Sequence, residues 1–165
     1  MSISAVVITV STKGARGERA DESGPTMRSA LETAGITVIG TDLVPDEPAR
    51  IEASIRGALA QGATLILTTG GTGLSPNDLT PEATRRVIDR EIPGIAEALR
   101  LRALQATPHG MLGRGIAGAA GRALIVNLPG SPRAVRESLE VLIPVLPHAI
   151  ELLAGESGET GHRLA

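Results

Sequence analysis

Four short apolar runs, rich in β-branched residues, alternate along the chain with longer segments of helical periodicity. The runs cover 3–10, 36–44, 63–69 and 122–128. Between them, apolar residues recur at every third or fourth position, which is typical of helices that pack one face against a core. Strands that alternate with helices favour a parallel sheet, and continuous apolar runs suit strands buried on both faces. The pattern therefore predicts an α/β fold, a single doubly wound domain whose mostly parallel sheet is flanked by helices.

Proline and glycine mark the ends of the predicted helices. These helices cover 24–35, 48–62, 81–91, 94–105 and the segment that begins at Pro132. The last helix is expected to bend at Pro144 and Pro147. In the first helix, the spacing places one set of residues on the buried face: Met27, Ala30, Leu31 and Ala34. Residues 110–121 are rich in Gly and Ala and predict a hairpin or an edge strand.

Composition limits the classes of protein that this chain can represent. Neither a repeat nor a linker interrupts residues 1–154, which we interpret as one domain, and the polar, glycine-rich residues 155–165 are expected to form a flexible tail. The absence of Cys excludes disulfides and thiolate metal sites. A net charge of −2 and the absence of Phe, Tyr and Trp argue against a nucleic-acid partner. Since neither an export signal nor a membrane span is found, we expect a cytoplasmic protein.

The strongest chemical signal is the segment 68–84, which reads TTGGTGLSPNDLTPEAT. It leaves the carboxyl end of the third predicted strand, turns through three glycines and enters a helix. Ligands of open α/β sheets bind at this edge, and glycines allow backbone N–H groups to approach phosphate oxygens. Thr80 is predicted to be the N-cap of that helix, with Pro81 at its first position. A tight turn without a ligand explains the glycines about equally well.

Two aspartates follow neighbouring predicted strands. Asp78 lies in the glycine-rich segment, and Asp46 lies in VPDEP, after the second strand. A carboxylate beside phosphate is a suitable ligand for Mg²⁺, which bridges the two groups. If the second and third strands flank one cleft, Asp46 and Asp78 can share a metal. The alternative for Asp46 is the N-cap of the helix that begins at Pro48, and the two roles are compatible.

Two further segments end at the same predicted edge of the sheet. They read DESGP over 21–25 and NLPGSP over 127–132. Each segment alone is more typical of a turn followed by a helix cap than of a binding site. Four such loops on one edge, however, indicate a cleft. Arg114 is either a phosphate contact or a solvated surface arginine.

These motifs resemble the signature of the MogA/MoaB family, which includes the G domains of gephyrin-like proteins. The similarity covers about residues 3–153 and includes, in order, the segments 21–25, 44–47, 69–84, 92–94 and 127–132. The resemblance implies a doubly wound domain that assembles as a homotrimer. It also implies an enzyme that binds molybdopterin and transfers AMP from Mg-ATP to its terminal phosphate, with release of pyrophosphate.

The resemblance assigns roles to individual residues of this sequence. The two functional aspartates of the family match Asp46 and Asp78, which are thereby implied to be catalytic and to bind Mg²⁺. Contacts to ATP and molybdopterin are implied for a larger set: Asp21, Ser23, Gly24, Gly70, Gly71, Thr72, Gly73, Ser75, Pro129, Gly130 and Ser131. Hand-over of the product to a MoeA-like Mo-insertase is a further implication.

Two other functions remain open. A MoaB-like protein could bind molybdopterin without adenylylating it, although binding alone gives no reason for the aspartate pair. A CinA-like hydrolase of a nucleotide or pyrophosphate is the second alternative, and the 165-residue length of the chain argues against it.

Overall fold

Six strands form one sheet in the computed structural model, which describes residues 2–155. The strands are β1 (Ser4–Val10), β2 (Thr37–Val44), β3 (Leu65–Thr69), β4 (Arg90–Glu91), β5 (Ala117–Ala120) and β6 (Ala123–Leu128). Their order across the sheet is β2-β1-β3-β6-β5-β4. The first four strands in this order are mutually parallel, whereas β5 and β4 are antiparallel to their neighbours. The predicted mostly parallel α/β sheet is therefore confirmed.

Helices connect the strands and cover the two faces of the sheet. They are α1 (Thr12–Ala15), α2 (Ser23–Thr33), α3 (Pro48–Ala60), α4 (Thr80–Arg85), α5 (Pro93–Ala106), α6 (Pro132–Leu142) and α7 (Leu146–Ala154). Short 3-10 helices cover Pro108–Leu112 and Ile143–Val145. The second of these separates α6 from α7, so the predicted last helix is interrupted at the prolines where a bend was expected. Of the predicted tail, only Gly155 belongs to the described residues, and residues 156–165 lie outside them.

The parallel strands bury side chains on both faces, in the alternation that extended backbone imposes. Ala5 and Val7 of β1 belong to a core with α2, α5, α6 and α7, whereas Val6 and Ile8 belong to a second core with α3 and α4. Both cores consist of aliphatic side chains, since the sequence contains no aromatic residue.

A topological switch point lies between β1 and β3. The chain leaves β1 through α2 on one face and reaches β2 at the sheet edge. It then returns through α3 on the opposite face and enters the sheet as β3, on the other side of β1. Connections that depart to opposite sides open a crevice at the carboxyl ends of the two strands.

Local differences from the prediction have identifiable causes. The helix predicted over 81–91 ends at Arg85, because the following residues pair with β5: the N–H of Asp89 donates to Ala119 O and that of Ile92 to Ala117 O. The one-turn helix α1 was not predicted, and Ser11 caps it by accepting from the N–H of Gly14.

Two further expectations concern single segments. Ala34, expected on the buried face of α2, is exposed because it is the C-cap that follows the last helical residue. Residues 110–121 contribute a hairpin, since β5 turns into β6 at Gly121, whose φ is +56°. The outer edge on that side is β4, which pairs with β5. Within residues 2–155, every helix is too short or too polar to cross a membrane.

Candidate active site

A cleft of about 720 Å³ opens at the switch point, where the carboxyl ends of β1 and β3 lie side by side. Four loops contribute to its walls, each of which follows a parallel strand. The cleft is lined by Thr9, Val10, Ser11, Gly14, Arg19, Ala20, Asp21, Glu22, Ser23, Asp46, Thr69, Gly70, Gly71, Asp78, Gly130, Ser131 and Pro132. The hypothesis that four separate loops meet at one edge of the sheet is therefore confirmed.

Most of the predicted site residues lie in this cleft, including both aspartates. Those that line it are Asp21, Ser23, Asp46, Gly70, Gly71, Asp78, Gly130 and Ser131. Those that do not line it are Gly24, Thr72, Gly73, Ser75 and Pro129. Thr72 and Pro129 instead line a separate, largely apolar pocket of about 240 Å³ between the same loops and helices α5 and α6.

Gly70 and Gly71 have backbone conformations that other residues adopt rarely, with φ values of +95° and +65°. A side chain on Gly70 would collide with the carbonyl oxygen of Val10, and one on Gly71 with Oγ1 of Thr80. Both glycines are therefore required by the packing of the loop itself. Their presence indicates a tight turn, and only the position of that turn in the cleft indicates a ligand.

Thr80 was expected to cap α4, and this prediction is wrong. The N-cap is Leu79, and the Thr80 side chain instead donates to Gly70 O over 2.9 Å. The N–H of Thr80 donates to Gly71 O over 3.1 Å. Thr80 thus stabilises the glycine turn through two hydrogen bonds. A capping pattern predicts that the hydroxyl accepts from the backbone of the helix, whereas here it donates to Gly70 O.

The Asp78 carboxylate is half-buried at the end of a turn that begins after Gly73. Its Oδ2 accepts from the N–H of Ser75 over 3.0 Å, and its own N–H donates to Ser75 O over 2.9 Å. A side chain on Gly73 would lie 2.8 Å from the same Oδ2. Gly73 therefore leaves room for the aspartate and Ser75 binds it, and neither residue lines the cleft.

Arg114 lies just before β5 and binds the loop that carries Asp78. Its guanidinium donates to the carbonyl oxygens of Gly73 and Asp78 and to the carboxylate of Glu82, and its backbone N–H donates to Thr72 O. The hydrogen bond from Arg114 lowers the pKa of Glu82 and raises the pKa of the arginine. The interpretation of Arg114 as a solvated surface arginine is therefore wrong.

Asp46 is also half-buried, and its carboxylate holds α1. Oδ2 accepts from the N–H and from the Oγ1 hydroxyl of Thr12, each over 2.8 Å. The same hydroxyl accepts from the N–H of Asp46 over 3.0 Å. The alternative role as a cap of α3 is wrong, because the N-cap of α3 is Glu47 and no side chain caps it.

Side chains of the other two loops fasten the cleft walls together. Asp21 accepts from the Thr9 hydroxyl over 2.8 Å and from the N–H of Gly24 over 3.0 Å. The hydroxyl of Ser23 donates to Gly130 O over 2.6 Å, which joins the start of α2 to the loop before α6. Direct ligand contacts of the predicted residues stay predictions.

Several residues between β1 and Asp21 line the cleft, and no role was predicted for them from the sequence. They are Ser11, Gly14, Arg19 and Ala20, together with Thr9 at the strand end. Their position after the carboxyl end of a parallel strand is the signal that could have found them. Arg19 is the basic residue among the cleft-lining side chains and is exposed.

The two aspartates supply carboxylate oxygens, the kind of ligand that a magnesium ion prefers. In the part of the chain that the structure describes, Oδ1 of Asp46 and Oδ1 of Asp78 accept no hydrogen bond, so each carboxylate retains a free oxygen beside the cleft. That part contains no cluster of three or more acidic or histidine ligands. Mg²⁺ sites at phosphates ordinarily use one or two carboxylates and complete their shell with phosphate oxygens and water.

Fold and cleft together define an α/β protein with a polar cleft at the switch point of a doubly wound sheet. A sequence profile described as "Probable molybdopterin binding domain" matches residues 6–148. The chain therefore belongs to this molybdopterin-binding family, and the resemblance inferred from its motifs is confirmed.

Individual relatives agree with this assignment. A molybdenum cofactor biosynthesis bifunctional protein of Synechococcus elongatus is 43% identical over 151 residues, which are 92% of this chain and 47% of the relative. A molybdopterin adenylyltransferase of Haemophilus influenzae is 39% identical over 81% of this chain and 70% of its own length. The chain spans about half or less of the length of several curated relatives that it matches.

Solved structures are similar over almost the whole domain. The crystal structure of a molybdopterin biosynthesis enzyme MoaB from Thermus thermophilus has a TM-score of 0.87 and 52% sequence identity. The match covers 93% of this chain and 97% of that one. The predicted fold class and the predicted family are thus both confirmed, and the names of the relatives agree with a role in molybdenum cofactor biosynthesis.

Proposed function

We propose that the chain is a nucleotidyltransferase that adenylylates molybdopterin. An oxygen of the terminal phosphate of molybdopterin attacks the α-phosphorus of ATP, and a new phosphoanhydride bond forms. The bond between the α-phosphorus and the oxygen that bridges to the β-phosphorus breaks, and pyrophosphate leaves with that electron pair. The products are adenylyl-molybdopterin and pyrophosphate.

The observation that carries the proposal is the meeting of Asp46 and Asp78 in one cleft. The two residues lie in loops that follow different strands and are separated by 31 intervening positions in the sequence, yet both present a free carboxylate oxygen. Carboxylates repel phosphate, so two of them in a phosphate cleft call for a cation between protein and substrate. When bound there, Mg²⁺ would neutralise charge on the phosphates.

The protein's own contribution is positioning and electrostatics. Helices α2 and α6 both begin at the cleft, where Glu22, Ser23, Ser131 and Pro132 line the wall. The N-terminal ends of helices favour negative charge, since their first N–H groups lack partners within the helix. A phosphate nucleophile requires no strong general base, so the reaction needs chiefly alignment of two phosphates.

Pyrophosphate release tests the proposal directly. We expect purified protein, molybdopterin and Mg-ATP to release one pyrophosphate for each adenylyl-molybdopterin formed. Release should require molybdopterin and should stop when a chelator removes the divalent cation. An ATP-dependent release that continues without molybdopterin would point to a hydrolase instead.

One observation favours the carrier alternative. Thr12 already occupies Oδ2 of Asp46, so a structural role explains the acidity of that residue without a metal. A protein that binds molybdopterin in an equilibrium titration, but releases no pyrophosphate with Mg-ATP, would be a carrier.

We further propose that the protein assembles as a homotrimer and that its product passes to a MoeA-like Mo-insertase. Light scattering should then give about three times the 16.9 kDa mass of the chain. A monomer at micromolar concentration would contradict the trimer. The cytoplasmic location stays a prediction.

A further inference from the structure

The turn that carries Asp78 is bridged by a side chain from a distant part of the chain. Arg114 donates from Nε to Gly73 O over 2.8 Å and from a terminal nitrogen to Asp78 O. These two carbonyl groups stand at the two ends of the turn. One planar guanidinium therefore fixes the distance between its ends.

A charged partner holds the guanidinium in this orientation. Glu82, on the first turn of α4, accepts from both terminal nitrogens of Arg114. Bidentate pairs between arginine and carboxylate are directional, because the planar donor fork matches the two carboxylate oxygens. The side chains are 33% and 37% exposed, so solvent screens the pair only in part.

The remaining contacts of the turn are weak by comparison. Leu74, Ser75, Pro76 and Asn77 are exposed. The local hydrogen bonds join Ser75 to Asp78 and, over 3.4 Å, the N–H of Asn77 to the Ser75 hydroxyl. Such a segment has few buried apolar contacts that could restrict its motion. The position of the Asp78 carboxylate therefore depends on the bridge made by Arg114.

The core does not depend on that bridge. Strands β3 and β6 and helix α4 are joined separately through Asn127, whose amide donates to the hydroxyls of Thr68 and Thr84. Thr80 closes the start of the loop from α4. Loss of the guanidinium fork should consequently loosen residues 73–78 without unfolding the sheet.

We infer that Arg114, oriented by Glu82, is a positioning residue for Asp78 in the cleft. The inference deepens the proposed function and rests on it for the catalytic consequence. It predicts that a lysine, which keeps the charge but lacks the fork, cannot replace Arg114.

Hydrogen exchange of Arg114→Lys tests the structural half of the inference without any ligand. We expect the amides of Ser75 and Asp78 to exchange about tenfold or more faster than in the parent protein, the effect of losing a charge-assisted hydrogen bond. Amides of β3 and β6 should be unchanged. The matched control is Arg102→Lys, since Arg102 is 30% exposed and pairs with Glu140, and it should leave the turn unaffected.

Kinetics and metal binding test the catalytic half. In Arg114→Lys, kcat should fall about tenfold to a hundredfold, as for a misplaced catalytic group, while KM for molybdopterin stays within about twofold. Mn²⁺, used as a paramagnetic probe in the presence of ATP, should bind more weakly to the variant than to the parent.

The possible outcomes separate this inference from the proposed function. Unchanged exchange of Ser75 and Asp78 in a folded Arg114→Lys variant would overturn the inference, whatever the activity. Faster exchange with unchanged kcat and unchanged Mn²⁺ affinity would also overturn it. If the parent protein releases no pyrophosphate, the proposed function fails, and the exchange and Mn²⁺ measurements still decide whether Arg114 positions Asp78.

Discussion

Asp78 and Asp46 line the same cleft, but their supports differ. Arg114 binds the backbone carbonyl group of Asp78 and not its side chain. The Asp78 carboxylate accepts one local hydrogen bond, from the N–H of Ser75. At Asp46 the carboxylate is itself the anchor, because Oδ2 binds both the backbone and the hydroxyl of Thr12. Asp78 is positioned by residues that bind its backbone, whereas Asp46 uses its carboxylate to position α1.

This difference bears on why each position is acidic: for its contacts within the fold or for the proposed reaction. The Asp78 carboxylate accepts one local hydrogen bond, and the cation that we propose for the cleft would give its charge a use. The bonds from Thr12 of α1 already explain a carboxylate at Asp46. Binding of the proposed cation would be a second role for the same side chain. Replacement of each aspartate by asparagine should therefore lower the rate of pyrophosphate release to a different extent at the two positions.

The largest effect is expected at Asp78. In Asp78→Asn, the side-chain oxygen can still accept from Ser75, so the turn should persist while the charge is lost. We expect turnover to fall by about two to three orders of magnitude, comparable to the loss of a positioned electrostatic group. Pyrophosphate release measures the rate, and a titration with molybdopterin should show nearly unchanged binding. An active Asp78→Asn protein would remove Asp78 from the metal site.

A smaller effect, about a hundredfold on the rate, is expected for Asp46→Asn if its charge acts on the metal. Thr12→Val is the matched control, because it removes the hydroxyl bonds to Asp46 but leaves the backbone donor of Thr12. That variant should lose less than about tenfold in rate, because Asp46 keeps its charge and its bond from the N–H of Thr12. Equal rate losses in the two variants would reduce Asp46 to an anchor of α1.

Glycine substitutions test the packing of the glycine turn through the free energy of unfolding rather than through the rate. Gly71→Ala combines a positive φ with a collision at Thr80 and should lower the free energy of unfolding by about 3 kcal/mol. Gly62→Ala is the control, since its φ is +82° and a side chain there meets no atom within 4 Å. It should cost about 1 kcal/mol, the left-handed conformation alone. Urea unfolding followed by far-UV circular dichroism measures both, and equal losses would contradict the packing described at Thr80.

The smallest effect is expected from the Arg114–Glu82 pair at acidic pH. Because Arg114 lowers the folded-state pKa of Glu82, the pair contributes stability above the ordinary glutamate pKa of about 4.3 and loses it as pH falls through the folded value. Glu82→Gln should therefore destabilise the protein by less than about 1 kcal/mol near neutral pH, since the pair is partly exposed. The difference between variant and parent should disappear in acid.

Urea unfolding of the variant and the parent protein, near neutral pH and in acid below the glutamate pKa, checks this expectation. Glu97→Gln serves as the control, because Glu97 is exposed and forms no ion pair within residues 2–155. A pH-independent difference between Glu82→Gln and the parent would show that the carboxylate charge does not contribute to the stability of the turn.

The sequence predicted the elements that carry strong periodic signals. The β-branched run at 63–69 and the glycines after it located β3 and its loop, and the parallel arrangement followed from the alternation of strands and helices. From these, the meeting of Asp46 and Asp78 at one edge could be predicted, because the carboxyl ends of parallel strands share an edge.

The supports of the site could not be predicted in the same way. Thr12 binds Asp46 across 34 positions, and Arg114 binds Asp78 across 36 positions. Neither contact leaves a periodic pattern, since each depends on how separate loops pack after the sheet has formed. The same reason explains the error at Thr80, where a tertiary acceptor, Gly70 O, replaced the local capping bond.

The aliphatic composition of both cores has an optical consequence. A chain without Phe, Tyr or Trp is almost transparent in the near ultraviolet, where pterins and adenine absorb strongly. Any absorbance or emission of a protein sample in that region then reports the bound heterocycle alone. Co-purified ligand can be recognised from the spectrum of the fresh protein, and the order in which nucleotide and pterin bind can be followed without an attached label.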